Sequence, residues 1–336
     1  MLEKLSNFML PEIEDALQDV LTLADSPETG ELYAMLAYHM GWESEEPGTN
    51  KGGKRIRPLL LLLTCGAAGG DWQEALPAAA AVELIHNFSL IHDDIEDNSP
   101  LRRGRTTVWK RWGIPQAINS GDTMFTLGSL AMLKLSQTCA SDVVLAAMDT
   151  LQQTCLELTQ GQYLDLAYEK RDDLSIDHYW KMIRGKTASL IGACTYIGSI
   201  VAGCSPEIQT DYHEFGLSLG LAFQMQDDLL GIWGKPHQTG KSAESDLISG
   251  KKSLPILYGL SQGGEFADRW KSRQITSENV GEIAQLLENS GAKDYAQERA
   301  SYYTQESLRY LNLAQPKDDY SKALIELADL LLNREV

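Results

Sequence analysis

The 336-residue chain contains no apolar run near the roughly 18 residues that a membrane-spanning helix requires, and its longest, such as Pro58 to Leu63, stop far short. No membrane span is expected. Cysteine is sparse: Cys65, Cys139, Cys155, Cys194 and Cys204 are odd in number, widely spaced and never arranged as C-x-x-C. That argues against a disulfide framework or a thiolate metal site, and they read as small buried apolar side chains of a reduced compartment. A basic start followed by an apolar block is missing, because Glu3, Glu12, Glu14, Asp15 and Asp19 fall within the first 21 residues. This start reads as an amphipathic helix of a cytoplasmic protein rather than a signal peptide. Positive charge is in deficit, 29 basic against 47 acidic residues for a formal net charge of −18. Phosphate backbones are repelled at long range, so nucleic acid is not an expected partner.

Strand signals are also missing. Apolar positions recur instead at three- and four-residue spacing, as in Leu2, Leu5, Met9, Ile13, Leu17 and Val20, which is the helical period. Helix starts are marked at Pro77, Ser141-Asp142, Ser175-Ile176-Asp177 and Ser205-Pro206-Glu207. The pattern predicts a dozen or so helices and no sheet, and with no repeat or compositional break it predicts a single domain over residues 1–336. Three segments resist the helical reading: Glu45 to Gly53, Asn98 to Arg105, and Trp233 to Ser253. Each borders a charged motif, as functional loops often do.

Two acidic motifs end apolar segments. Asp93-Asp94-Ile95-Glu96-Asp97 follows Ala81 to Ile91, and on a helix Asp93 and Asp97 lie one turn apart on one face. Like charges so placed repel, and the negative end of the helix dipole disfavours them further. A divalent cation removes both penalties, and magnesium in particular takes one or two carboxylates plus phosphate oxygens of a substrate. The second pair, Asp227-Asp228, follows Phe215 to Met225 with Gln224 and Gln226 beside it. Two such patches facing each other across a cavity could hold a metal-bridged diphosphate over an apolar pit. Cations flank them: Lys54 and Arg57 beside Gly52-Gly53, then Arg102-Arg103, Lys186-Thr187, Lys241 and Lys251. Taken singly each reads as a solvated surface charge; as a set they suit a polyanionic ligand. His86 lies two turns before Asp93 on the same face, where it is either a satisfied core histidine or a diphosphate contact.

The ordered set GGKRIRP, ELIH, LIHDDIED, LRRG, GQYLDL, GKTASL, FQMQDD, TGK, SDL and GKKSLP, running from about Gly52 to Leu260, resembles the trans-isoprenyl diphosphate synthases. The resemblance implies an all-α isoprenoid synthase bundle of about ten core helices around a central apolar cavity, usually a homodimer. It implies that Asp93, Asp94, Asp97, Asp227 and Asp228 hold about three magnesium ions on an allylic diphosphate, with Arg102, Lys186 and Lys241 as direct contacts. Lys54, Arg57, His86 and Arg103 match residues that hold isopentenyl diphosphate. Gln224 matches a polar residue beside the reacting carbons, Thr187 accompanies Lys186, and Gln162, Asp165 and Lys251 match positions of less defined role.

The implied reaction lengthens the allylic diphosphate by condensing it with isopentenyl diphosphate. Developing charge on the leaving diphosphate is stabilised electrostatically, and water is kept from the allylic cation. Two features depart from the pattern: Gly231 stands where the second motif usually has a third aspartate, and Lys235 replaces another position that is often acidic. A terpene cyclase would leave Lys54, Arg57, His86 and Arg103 idle, and the cyclase-like start Asp246-Leu247-Ile248-Ser249 reaches Ser253 instead of glutamate. A non-catalytic partner subunit would tend to lose the aspartates that are whole here. Product length is read from Phe88 and Ser89, five and four residues before Asp93 and so roughly 6–8 Å below it along a helix. Phe88, about 140° from Asp93 on the helical wheel, is expected to be a side wall. A bulky residue there followed by a small one resembles the geranylgeranyl type, with the farnesyl type second.

Overall fold

A computed structural model describes residues 1–42, 53–234, 245–272 and 275–332. Helices account for nearly all of it: α1 (Leu2–Leu21), α2 (Gly30–Met40), α3 (Ile56–Ala67), α4 (Leu76–Glu96), α5 (Val108–Trp112), α6 (Ile114–Leu133), α7 (Ser141–Glu169), α8 (Ile176–Ile183), α9 (Ser189–Val201) and α10 (Pro206–Trp233). Six more follow at Ser245–Ser249, Leu254–Gln262, Gly264–Lys271, Val280–Asn289, Ala292–Leu313 and Asp318–Leu332. The four marked starts open α4, α7, α8 and α10. At α8 the mark is a full capping box, in which Ser175 accepts from the third helical residue while His178 returns a bond to the Ser175 N–H.

Two expectations are corrected. Leu101–Arg102 and Arg105–Thr106 form a two-stranded antiparallel ladder where no sheet was expected. Arg103 and Gly104 adopt positive φ, 52° and 74°, and that left-handed pair closes the hairpin without an Asn-Gly signal. Within Trp233 to Ser253, which read as a loop, Ser245–Ser249 is helical, while residues 235–244 lie outside the described residues, as do 45–52 of the first expected loop.

Contacts gather the chain into two compact units, each assembled from three stretches. The first comprises Met1–Gln152, Cys194–Gln209 and Gln315–Leu324. Here α1 buries the stripe Met9, Ile13, Leu17 and Val20, as its period requires, and α4 packs along α6 and against α1 and α3. A buried polar hub fixes this packing. Arg55 donates to Glu14 at 2.7 Å, to Glu83 at 3.0 Å and to the Met40 carbonyl at 3.1 Å, joining the chain just before α3 to α1, α4 and α2. The second unit comprises Gln153–Ala193, Thr210–Ala314 and Ile325–Val336. In it α8, α10 and the helices Leu254–Gln262 and Ala292–Leu313 share a core that includes Tyr179, Met182, Leu217, Met225, Leu254 and Ala296.

The five cysteines are free, and burial pushes the thiols of Cys65, Cys155 and Cys194 up to about 12, consistent with inert apolar roles. No helix among the described residues is long and apolar enough to cross a membrane.

Candidate active site

In the first unit α4 ends on the acidic motif. The Asp97 N–H donates to the Asp93 carbonyl at 2.9 Å, so their side chains leave the helix one turn apart, Asp93 half-buried and Asp97 exposed. Asp94 is different. It is turned inward, 2% exposed, and accepts Arg102 Nε at 2.9 Å. Burial raises its carboxyl to about 6, against the opposing pull of Arg102. Asp93 and Asp97 are therefore the more exposed carboxylates of the motif, whereas Asp94 is buried against an arginine.

The hairpin after this motif is clamped by Tyr38, whose hydroxyl donates to the Thr106 carbonyl at 2.8 Å and whose ring carries Arg105 at 4.0 Å and Arg111 at 4.6 Å. Its turn lays the Arg103 guanidinium on Gly53. A Cβ at Gly53 would lie 2.6 Å from Arg103 NH1, and Gly53 itself has φ 101°, so only glycine serves there. Lys54 follows, exposed. Arg57 NH1 lies 3.1 Å from His86 Nε2. Burial and then the Arg57 charge hold His86 well below the usual imidazole range, so the ring is neutral; since Arg57 can only donate, Nε2 accepts and Nδ1 carries the proton. Among the described residues Arg57 Nε is buried without a hydrogen-bond partner, a donor suited to an anionic oxygen. The structure thus brings Arg103 to Gly53 and Arg57 to His86.

His39, on α2, joins this basic region and was not legible beforehand. Burial first, then Arg102, Arg103, Arg55 and Arg105, lower it to about 3. A histidine kept neutral in the folded chain contributes stability that is complete above about 6.5 and is lost as pH falls toward about 3, because the unfolded chain takes the proton first. Urea denaturation between pH 7 and 4 is expected to show a shallower loss of stability in His39→Gln than in the wild type. Identical slopes would mean that His39 is not held neutral.

In the second unit Asp227 is exposed and Asp228 is 1% exposed. Asp228 Oδ2 accepts the Tyr179 hydroxyl at 2.7 Å and the Leu254 N–H at 3.0 Å, and Oδ1 accepts Gln224 Nε2 at 2.9 Å. Gln224 Oε1 in turn accepts Thr187 Oγ1 at 2.7 Å, so both ends of its amide are engaged within the protein. Lys186 sits in a π turn, Arg184–Ala188, and pairs with Asp165. Gly161 permits that approach, since a Cβ there would lie 2.1 Å from the Lys186 N. Burial opposes the charge of Lys251, but Asp228, Asp246, Asp165 and Asp227 together raise its ammonium above the ordinary lysine range. Its ammonium lies among these carboxylates while part of the residue stays open to solvent, which weakens that field. Lys241 and Lys235 lie outside the described residues.

Tyr179 and Arg55 were missed. Nothing local in the sequence marks Tyr179, which reaches Asp228 from another helix. Arg55 stood in a recognised basic cluster, but nothing local reveals that Glu14 and Glu83 reach it.

The polyprenyl synthetase family description matches residues 45–289. The chain is 36% identical over 311 residues to a (2E,6E)-farnesyl diphosphate synthase of Mycobacterium bovis, covering 90% of this chain and 86% of the relative. It is 37% identical over 311 residues to a geranylgeranyl diphosphate synthase of Mycobacterium tuberculosis, covering 90% and 87%. A crystal structure of a polyprenyl synthetase from Streptomyces coelicolor superposes with a TM-score of 0.89 at 32% identity, covering 99% of this chain and all of that one.

Proposed function

Since the chain belongs to the polyprenyl synthetase family and is a prenyl diphosphate synthase of the all-α isoprenoid synthase fold, we propose that it elongates an allylic diphosphate with isopentenyl diphosphate and that its product is geranylgeranyl diphosphate, with farnesyl diphosphate second. The observation that supports this reading most is the division of labour within each aspartate pair. Asp93 and Asp97 in the first unit, and separately Asp227 in the second, are the more exposed carboxylates of their motifs, and each motif taken by itself has the oxygen chemistry that suits a hard divalent cation bound with phosphate. We take that cation to be magnesium, with about three ions per site as the resemblance implies; bound there, it would neutralise charge on the departing diphosphate.

The chain's own residues do the rest. Asp94 holds Arg102 for the allylic diphosphate, and Asp228 anchors the Gln224–Thr187 chain beside Lys186. Lys54, Arg57 and Arg103 bind isopentenyl diphosphate, with neutral His86 orienting Arg57. Lys241 is assigned to the allylic diphosphate by resemblance alone, and Lys251 keeps a proton near the second acidic pair. Residues 1–336 act as one cytoplasmic domain, and the apolar residues exposed on α6, Ile114, Ile118, Leu130 and Leu133, form the contact of a homodimer. Light scattering that gave the mass of one chain would refute that dimer.

Chain length is carried by the wall beneath the first motif. The Phe88 ring packs edge-on to Phe125 of α6, with centroids 5.2 Å apart, and to His92 at 5.0 Å, while Ser89 folds its hydroxyl back on the His86 carbonyl. Incubation with isopentenyl diphosphate and an allylic primer, followed by chromatography of the dephosphorylated products, is expected to give geranylgeraniol from the wild type. Phe88→Ala is expected to give longer alcohols. A cyclic hydrocarbon or no product would overturn the activity, and an unchanged product in Phe88→Ala would remove Phe88 as the determinant.

A further inference from the structure

At the end of α2 the residues on either side of His39 are tied down, while His39 itself has no hydrogen-bond partner among the described residues. The Tyr38 hydroxyl donates to the Thr106 carbonyl at 2.8 Å, and the Met40 carbonyl accepts Arg55 at 3.1 Å. Trp42, just beyond the helix, donates its indole N–H to Glu14 at 2.8 Å. The backbone that carries His39 is therefore fixed to the hairpin, to the Arg55 hub and to α1.

From this fixed end His39 lines a recess together with Tyr38, Asp94, Arg102, Arg103 and Arg105. Asp94 is the one carboxylate among the lining residues, and it engages Arg102 at 2.9 Å. The Arg103 guanidinium, laid on Gly53, makes no hydrogen bond among the described residues. Three guanidiniums against one carboxylate leave the recess with a surplus of positive charge. The same field reaches the Arg57–His86 pair, because His86 is held neutral by burial first and then by Arg57, Arg103, Arg102 and His39. Each neutral imidazole has one donor and one acceptor nitrogen. In His86 the acceptor faces Arg57, whereas the ring N–H of His39 is still to be satisfied, beside a guanidinium with donors to spare. An oxyanion suits both.

We propose that His39 is a further substrate-binding residue, donating its ring N–H to the diphosphate of the isopentenyl diphosphate that Arg103 holds. The proposal rests on the reading of Arg103 as a contact of that substrate. Burial, then Arg102, Arg55 and Arg57, already disfavour the charge of Arg103 against the pull of Glu83. A lysine or arginine at position 39 would add to that repulsion, while an uncharged donor adds a hydrogen bond to the anion without it.

The test is steady-state kinetics on the full chain, with each substrate varied against a saturating concentration of the other. His39→Phe keeps a ring in the recess and removes its N–H. It is expected to raise the KM for isopentenyl diphosphate about 10–100-fold, as losing a hydrogen bond to a charged group does, and to change the KM for the allylic diphosphate less than about twofold. His39→Gln restores an N–H and is expected to recover most of the loss, which a purely structural ring would not allow. His39→Met, close to glutamine in size but without a donor, repeats the comparison where a phenylalanine ring does not fit. A wild-type KM in His39→Phe, equal rises for both substrates, or His39→Gln no better than His39→Met overturns the proposal. Arg103→Gln is measured in parallel. If it too keeps a wild-type KM for isopentenyl diphosphate, the reading of that subsite falls as well; if it is impaired while His39→Phe is not, only the role of His39 falls.

Discussion

Asp93→Asn is expected to lower kcat by about 10²–10³-fold with an unchanged melting temperature, because a half-exposed carboxylate that meets the departing diphosphate through a cation contributes to the transition state and not to the core. Asp94→Asn, one residue on, is expected to behave differently. Its carboxylate is buried and its charge disfavoured, so neutralising it costs the fold little, but Arg102 loses the oxygen that aims it. The expected result is a raised KM for the allylic diphosphate with a smaller loss in kcat. Steady-state kinetics with each substrate varied in turn separate the two. Equal losses in kcat at Asp93 and Asp94 would show that the pair is not divided as its geometry suggests.

Replacing Arg55 by methionine is expected to have the largest effect on stability, about 3–5 kcal/mol, because it strands Glu83. Glu83 is 4% exposed, and Asn87 donates to it at 3.1 Å, one bond that cannot replace a guanidinium. Arg55 has φ 47°, a left-handed conformation that non-glycine residues adopt at a cost, so the hub also offsets backbone strain. Urea denaturation is the measurement. The double variant Arg55→Met with Glu83→Leu is expected to recover much of the loss by removing both charges, and Arg55→Lys to recover little, since one ammonium cannot reach Glu14, Glu83 and the Met40 carbonyl together. A loss below about 1 kcal/mol in Arg55→Met would mean the hub is solvated and worth no more than a surface pair.

Much of this was legible in the sequence, for identifiable reasons. Helical period and cap chemistry are local, so the stripe on α1 and the starts of α4, α7, α8 and α10 fell where expected. Charge clusters are local too, so Lys54, Arg57, Asp93 and Asp227 were visible as candidates. What could not be read was direction and long-range partnership. Asp93 and Asp94 are the same residue type side by side, and only the packing that buries Asp94 against Arg102 separates an outward carboxylate from an inward one; Asp227 and Asp228 repeat the case with Tyr179 and Leu254. The hairpin at Leu101–Thr106 was hidden because its left-handed turn uses Arg103-Gly104, with the strain at Arg103 held by a tyrosine more than sixty residues away.

The π turn at Arg184–Ala188 has a consequence for comparing this chain with others. A π turn accommodates one residue more than an α-helical turn, so side chains after it are rotated by about 100° relative to a continuous helix of the same length. Lys186 owes its direction to that extra residue. Any alignment that treats residues 176–193 as uninterrupted α-helix will assign one side of the turn to the wrong face, and a redesign that grafts this segment must carry the insertion with it. Deleting a single residue between Arg184 and Ala188 would leave every nearby amino acid in place and still point the lysine away from Asp165.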